Sequence, residues 1–421
     1  MTAVQRRPSV FRIPGYGAYW TSYSVSSFGM YVTALALQVL VLLELGGTAV
    51  DVGLVGSARW LPYLVLGLVV GVLVDRVRRK PILVGADLAR AGILLSIPVL
   101  HVFGLLNVVV VVVLMLLFGT VALFGDAAQQ SLLPLVVPRS RLLEAHAHTD
   151  KSDAAAQTLG PTVGGGIVSL FGAAAAMVVE AGARIVSAVA ISRIRVIEMP
   201  PAPESRSIRR ELAEGLRWVY RHRTLAPLAL GTHAWFLANS MLTTVFVSFV
   251  IVELALDAFA FGLAIAAAGV AAFVGASISI RLGLRFGVGP VVIGCHTLMA
   301  LGCVVIALAP PVAADTAGEF WPALAVIATG QFAIGLAMGA SNANEMGFRQ
   351  AVTPDHLQGR MNTTIRSINR AMIVIGAPLG GALAVMLGNR PALWIAGAGF
   401  LLIAAYLMIS PFRGARHVEV D

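Results

Sequence analysis

His146, Asp150, Asp153 and Gln157 follow one another at intervals of four, three and four residues. At about 100° per residue, a helix gathers them into one strip about 60° wide. Counted from Arg141 at about 1.5 Å per residue, the two aspartates lie roughly 14 to 18 Å along that helix, close to the midplane of a membrane span. An isolated carboxylate at such a depth in hydrocarbon costs about 3 kcal/mol, so it faces a wet cavity, carries a proton or pairs. One reading is a proton site built from Asp150, Asp153 and His146. The other is structural neutralisation by the adjacent Lys151 or by a cation on a facing helix.

A second face carries the opposite sign: Asn362, Arg366, Asn369 and Arg370 share one side of a later helix, and Arg59 stands within another apolar run. A guanidinium offers a fixed fork of donors to oxygen ligands, so these groups suit an anionic substrate. Pairing with Asp150 or Asp153, or snorkelling to the interface, is the alternative. His233, near Trp235 and Asn239, either lines a cavity or is a packed core histidine. Glu180 and Arg184, four residues apart, neutralise each other.

Other chemistries find no footing. Cys295 and Cys303 are eight residues apart on one helix, too far to bridge, and belong to no metal-ligand spacing. The two lysines are Lys80, followed by Pro, and Lys151, preceded by Asp, so neither closes a phosphate loop. We expect no metal, no cofactor and no enzymatic activity, and any uphill work must draw on an ion gradient, protons above all.

These residues need positioning by membrane helices. The 421-residue chain is 58% hydrophobic and 12% charged, with a mean hydropathy of +0.86, more apolar surface than a water-soluble core can hide. Runs such as Val108 to Phe118 do not alternate, which excludes barrel strands. Apolar stretches bounded by charge, Pro or Gly predict twelve helices, near 17 to 44, 51 to 74, 81 to 102, 106 to 132, 142 to 172, 174 to 193, 225 to 253, 257 to 283, 289 to 311, 319 to 347, 358 to 387 and 391 to 411. Between the two sets of six, Ile194 to Arg223 is polar and basic, with an amphipathic helix over 208 to 220. The expected division is 1–193, a linker over 194–223, and 224–421. Arg6, Arg7 and Arg12 precede the first span without a cleavable apolar core, so that span is expected to stay.

Seven short segments hold 23 of the 30 Lys and Arg residues, the two ends and every second loop, whereas the opposite loops hold Arg390 alone. Positive residues stay inside, which predicts a multi-pass protein of the plasma membrane with both termini cytosolic. A net charge of +9 spread in this way records topology, and no nucleic-acid partner is expected.

The chain also repeats itself. A shift of 209 lays Arg76, Pro81 and Gly85 over Arg285, Pro290 and Gly294; a shift of 216 lays Gly160, Gly164 and Gly165 over Gly376, Gly380 and Gly381, and Asp150 over Arg366. A six-helix unit used twice gives two parallel halves bracketing a central cavity.

Across essentially its whole length the sequence resembles the major facilitator superfamily. Gly71-x-x-x-Asp75-Arg76-x-Arg78-Arg79-Lys80 looks like that family's cytoplasmic loop signature, with Arg78 where the family has Gly, and Gly160-Pro161-x-x-Gly164-Gly165 looks like its antiporter signature. Thr48-Ala49-x-x-Val52-Gly53-Leu54, Ala86-Asp87-x-x-Arg90 and Pro134-x-Val136-Val137-Pro138 are similar to the drug:proton antiporter branch of enterobactin and macrolide exporters. The resemblance implies an all-α membrane fold of twelve helices in two six-helix bundles. It implies an inner gate of Gly71, Asp75, Arg76, Arg79, Lys80 and Asp126, the last placed at the cytosolic edge by counting from Asn107. It also implies that the first span lines the cavity, which singles out Tyr23, Ser27, Tyr31 and Gln38 as substrate contacts beside Arg59, His233, Asn239, Arg366 and Arg370. Tyr16, Tyr19 and Trp20 read as an interfacial belt, and Glu180 with Arg184 as facing lipid. The expected function is export of small amphipathic molecules (drug, antibiotic or siderophore-like product) by a monomer in exchange for protons. An importer or facilitator on the same fold is the rival.

Overall fold

The computed structural model describes residues 9–75, 77–196, 208–311 and 317–416. Arg76 and the side chains at 71 and 75 fall outside the described residues, and so do the gate expectations for Gly71, Asp75 and Arg76. Thirteen α-helices run through the described part: α1 Tyr16–Val39, α2 Ala49–Asp75, α3 Arg79–Val102, α4 Val108–Val136, α5 Leu142–Phe171, α6 Ala173–Ser192, α7 Ile208–Arg221, α8 Leu225–Ser248, α9 Ala258–Phe286, α10 Val288–Ala307, α11 Ala317–Val352, α12 Asp355–Leu387 and α13 Asn389–Ile409. Eleven are long and apolar enough to cross a membrane. α5 is the twelfth long helix, its first half weighted with Glu144, Asp150, Lys151 and Asp153, and α7 is the amphipathic helix between the two sets.

Local chemistry sets the ends. The Asn107 side chain accepts the Val110 N–H at 3.0 Å to start α4, and Asp257 accepts from Ala260 at 2.8 Å to start α9. Gly172 and Gly388, at φ 81° and 92°, let α5 turn into α6 and α12 into α13 through one residue that a side chain would strain. These corners are 216 residues apart. α1 and α8 each finish in a π turn, Leu40–Glu44 and Phe249–Glu253, 209 residues apart.

In the first set α1 packs on α5 and α6, α3 on α4 and α6, and α2 on α4; in the second α8 packs on α12 and α13, α9 on α11, and α10 on α11 and α13. The sets meet through α2 with α12 and α5 with α9. Glycines allow the backbones to touch. A Cβ at Gly165 would fall on the Ala258 carbonyl and one at Gly381 on the Ala49 carbonyl; a Cβ at Gly262 would fall on Pro161, and one at Gly53 would lie 2.5 Å from the Ala377 oxygen. Each pair is the other displaced by the two repeat shifts. All four contacts lie in the half of the helices remote from the chain termini, so the two sets are sealed at that end.

α7 docks on the second set. Glu214 pairs with Arg360 of α12, the Trp218 indole N–H donates to Thr353 Oγ1 at 3.3 Å, and the Tyr220 hydroxyl meets His233 of α8 at 2.7 Å.

Candidate functional site

Between the sealed end and the termini, two cavities lie where α2 faces α12. The deeper, about 160 Å³, is lined by Gln38, Arg59, Trp60, Ser240, Thr243 and Ile373 among others. The second, about 320 Å³, lies nearer the termini and is lined by Tyr63, Asp126, Gln130, Asn362, Arg366 and Arg370 among others. Trp60 and Tyr63 form the wall between them. The Arg370 guanidinium sits 4.2 Å from the Tyr63 ring centre and 5.7 Å from that of Trp60. Arg59 lies 5.9 Å from the Trp60 ring and 5.3 Å from Phe118. Aromatic faces attract such cations but do not neutralise them.

Tyr63 links this cleft to a buried chain of charges. Its hydroxyl donates to Asp126 Oδ2, and Arg90 donates to Asp126 Oδ1 at 2.9 Å and to the Ala122 carbonyl. Arg90 stands 3.8 Å from Asp87, Asp87 3.5 Å from Arg184, and Arg184 3.0 Å from Glu180. Ser187 donates to the second Asp87 oxygen at 2.5 Å. Asp87, Arg90, Glu180 and Arg184 are 1 to 5% exposed. A cluster so buried persists because every charge has a partner of opposite sign.

Several expectations change here. Asp126 does not reach the cytosolic edge, because α4 continues ten residues beyond it, roughly 15 Å, and its partners are Arg90 and Tyr63. Glu180 and Arg184 pair as expected but face the bundle interior, not lipid. His233 is buried with both ring nitrogens engaged, Nε2 by Tyr220 and Nδ1 by Asn369 Oδ1 at 2.6 Å, so it pins α7, α8 and α12 together and has no nitrogen left for a substrate. Asn239 is half-buried and lines neither cavity. Tyr16 and Tyr19 are buried, their hydroxyls donating to the carbonyls of Ala145 and Gln129, and form no belt. Of the other gate residues, Arg79 and Lys80 open α3, and Lys80 donates to the Ile194 carbonyl at 2.8 Å, tying that turn to the end of α6.

The acidic strip of α5 is brought against α1. Tyr31 lies with its hydroxyl 3.5 Å from Asp153, Ser27 stands near both Asp153 and Tyr23, and Tyr23 sits within the field of Asp150, Asp153 and Asp126. Asp153 is half-buried, while His146 and Asp150 are exposed toward the terminal end. Among the described residues Asp150 makes no ion pair, and neither Arg366 nor Arg370 reaches Asp150 or Asp153. Gly160, Pro161, Gly164 and Gly165 serve contact: Gly160 admits Tyr31, Gly164 admits Val32, and Gly165 and Pro161 form the seal against α9. Among the described residues no group of three His, Cys, Asp or Glu side chains could hold a metal.

Missed by sequence reasoning were Trp60 and Tyr63 as the cavity wall, and Asp87 with Arg90 as partners of Asp126. The spacing Asp87-x-x-Arg90 was in view, but the third member lies 36 residues further on.

Two parallel six-helix bundles around a cleft at half depth define a membrane transporter of the major facilitator type, which is no enzyme. The chain belongs to the transmembrane secretion effector family of that superfamily, which it matches over residues 7–419. It is 26% identical over 215 residues to macrolide efflux protein A of Streptococcus pyogenes and 33% identical over 212 residues to the multidrug efflux pump Tap of Mycolicibacterium fortuitum. These alignments take in 50% and 48% of this chain and 52% and 51% of those proteins; the chain thus spans about half the length of these relatives. An MFS-type transporter of Sinorhizobium fredii aligns at 27% identity over 96% of both chains. Among solved structures, the nucleoside transporter NupG (D323A) superposes with a TM-score of 0.75 at 11% identity, over 93% of this chain and 98% of that one. A bacterial homologue of the iron transporter ferroportin, in an inward-facing state, gives 0.71 at 14% identity, over 95% and 99%. At these identities they share the fold.

Proposed function

We propose that the chain exports small amphipathic molecules in exchange for protons. Units 1–193 and 224–421, joined by the linker 194–223, rock as a monomer about the α2–α12 cleft in the plasma membrane, with both termini cytosolic. The observation that carries this reading is a cleft at half depth that joins titratable and cationic side chains to an aromatic wall, sealed at the end away from the termini. The arginine-rich loops on the terminal side support the cytosolic assignment, and the likeness to efflux proteins supports the direction. Asp153 is the proposed proton carrier, with Asp150 beside it: a carboxylate at that depth, flanked by Tyr31 and Ser27, gains or loses a proton as the cleft changes its access to water. Arg79, Lys80 and the turn before α3 are proposed to hold the inner gate.

Accumulation of a macrolide and of a fluorescent drug in cells with and without the chain tests direction. Export predicts lower accumulation with it. Higher accumulation would instead support import, the second reading, for which the shared fold with a nucleoside transporter is the supporting observation. Proton flux driven by substrate in liposomes tests coupling: Asp153→Asn is expected to abolish it, and unchanged flux in both Asp150→Asn and Asp153→Asn would remove these residues from the mechanism.

A further inference from the structure

Arg366 and Arg370 lie eleven and fifteen residues into α12 from Asp355, roughly 17 and 22 Å along the axis. Arg59 lies ten residues into α2 from Ala49, roughly 15 Å from the opposite end. Measured from Leu387 at the other end of α12, Arg370 lies roughly 26 Å and Arg366 roughly 32 Å along the axis, so Arg59 and Arg370 stand inside a hydrocarbon span of about 30 Å and Arg366 at its cytosolic edge, opening into the cleft. Among the described residues none of the three donates a hydrogen bond or joins an ion pair. The acid nearest the cleft, Asp126, has one oxygen on Arg90 and the other on Tyr63, and Asp153 is turned to α1. Within the described residues no acid is in direct contact with the positive charges of this cleft; Asp126 and Glu180 act on them only from a distance.

An intramembrane cation without a direct ion-pair partner marks a substrate or ion pathway. The chemistry here selects an anion. Arg366 and Arg370 stand one helical turn apart on the wall of the larger cavity, and Asn362 stands one turn below, so that a carboxylate, phosphate or sulfonate entering there meets forked donors from two levels. Beside them Trp60 and Tyr63 present ring surface, and beyond lies the smaller cavity with Arg59. An apolar body belongs against the rings and an acidic group on the α12 arginines.

We infer that the cleft is a binding site for amphipathic organic anions, held through an oxyanion on Arg366 and Arg370 with an aromatic or aliphatic body against Trp60 and Tyr63. This rests on the transporter reading above and specifies its substrate class. The internal repeat sharpens the point: Arg366 occupies the position of Asp150 in the first unit, so the two related helices carry opposite charges at the same level, and that of α12 lines the cleft. One is available to a proton, the other to an anion.

Fluorescein and rhodamine 123 share a xanthene body and differ in charge, and their fluorescence polarisation on the full-length protein in detergent reads the site directly. The wild type is expected to bind the anion fluorescein about tenfold more tightly than the cation rhodamine 123, and the double variant R366Q/R370Q to bind fluorescein about tenfold or more weakly. R366K/R370K, which keeps the charge without the fork, is expected to recover part of the loss. Should the glutamine pair not remain monodisperse, the single variants R366Q and R370Q carry the same comparison. Equal or tighter binding of rhodamine 123, absence of fluorescein binding, or unaltered fluorescein affinity in the glutamine variants overturns the inference. In proteoliposomes, outward transport of rhodamine 123 without fluorescein would sink the anion site and leave export standing. Inward-only movement of fluorescein would sink export and leave the site.

Discussion

At the scale of residues, the chain of charges from buried Glu180 to Asp126, whose side chain opens on the cavity, divides its members by what surrounds them. Removing one charge from the inner part strands its partner in low dielectric, which costs about 3 to 5 kcal/mol. Arg184→Gln is therefore expected to lower the thermal unfolding temperature in detergent strongly, and combination with Asp87→Asn to cost less than the two single losses added. Asp126→Asn keeps one oxygen acceptor for Arg90 and turns its amide N–H to the Tyr63 hydroxyl oxygen, and Arg90 retains Asp87 and the Ala122 carbonyl, so it is expected to be milder than Arg184→Gln in the same assay. A cap outside the membrane gives a pH signature. His222 Nδ1 accepts the Leu225 N–H at 3.2 Å at the start of α8, and burial lowers its pKa below 6.5. The folded chain thus favours the neutral ring, and this contribution is complete above pH 6.5 and lost as pH falls through that value toward the lower folded one. The protection of the first α8 amides, taken as the ratio of intrinsic to observed exchange rate at each pH, should fall between pH 7.5 and 5.5 in the wild type and show no such added step in His222→Ala.

At the scale of elements, the glycine contacts predict opposite outcomes for the same kind of change. Gly165→Val and Gly381→Val place side-chain atoms on backbone carbonyls of α9 and α2, so each is expected to weaken the remote seal and cut transport about tenfold or more, a shift of roughly 1.4 kcal/mol in the closed population. Gly182→Ala on α6, where nothing lies within 4 Å of the added atom, is expected to transport normally. The positions of these elements were largely legible in the sequence. The π extensions to Glu44 and Glu253 end where the predicted spans end, the Arg-Leu periodicity of 208–220 marked α7, and the 216 shift aligned the same three glycines that make equivalent contacts. The charge partners were not legible, because Arg90 and Asp126 sit on different helices and no period in either says which faces meet. The same limit applies to His233, whose two partners come from α7 and α12. Counting residues from Asn107 misplaced Asp126 because the true length of α4 was needed to measure depth from the other end.

At the scale of the whole molecule, anion export in exchange for a proton moves positive charge inward on both legs. Each elementary charge is then worth about 2.3 kcal/mol per 100 mV. Fluorescein efflux from vesicles is accordingly expected to accelerate when a potassium diffusion potential makes the lumen corresponding to the cytosol negative, even with equal pH on both sides. Export of a cation for one proton would be electroneutral and unmoved by that potential.

The seal between the sets is made twice, once where α5 meets α9 and once where α2 meets α12, by residues related through the internal repeat. Two copies of one latch act in series on a single event: the outer face cannot open until both have let go, and their holding energies add. The probability of opening is then a product of two factors, so each latch needs to be only moderately strong for accidental leakage to be rare. A substrate or proton that loosens both together gains the square of its effect on one.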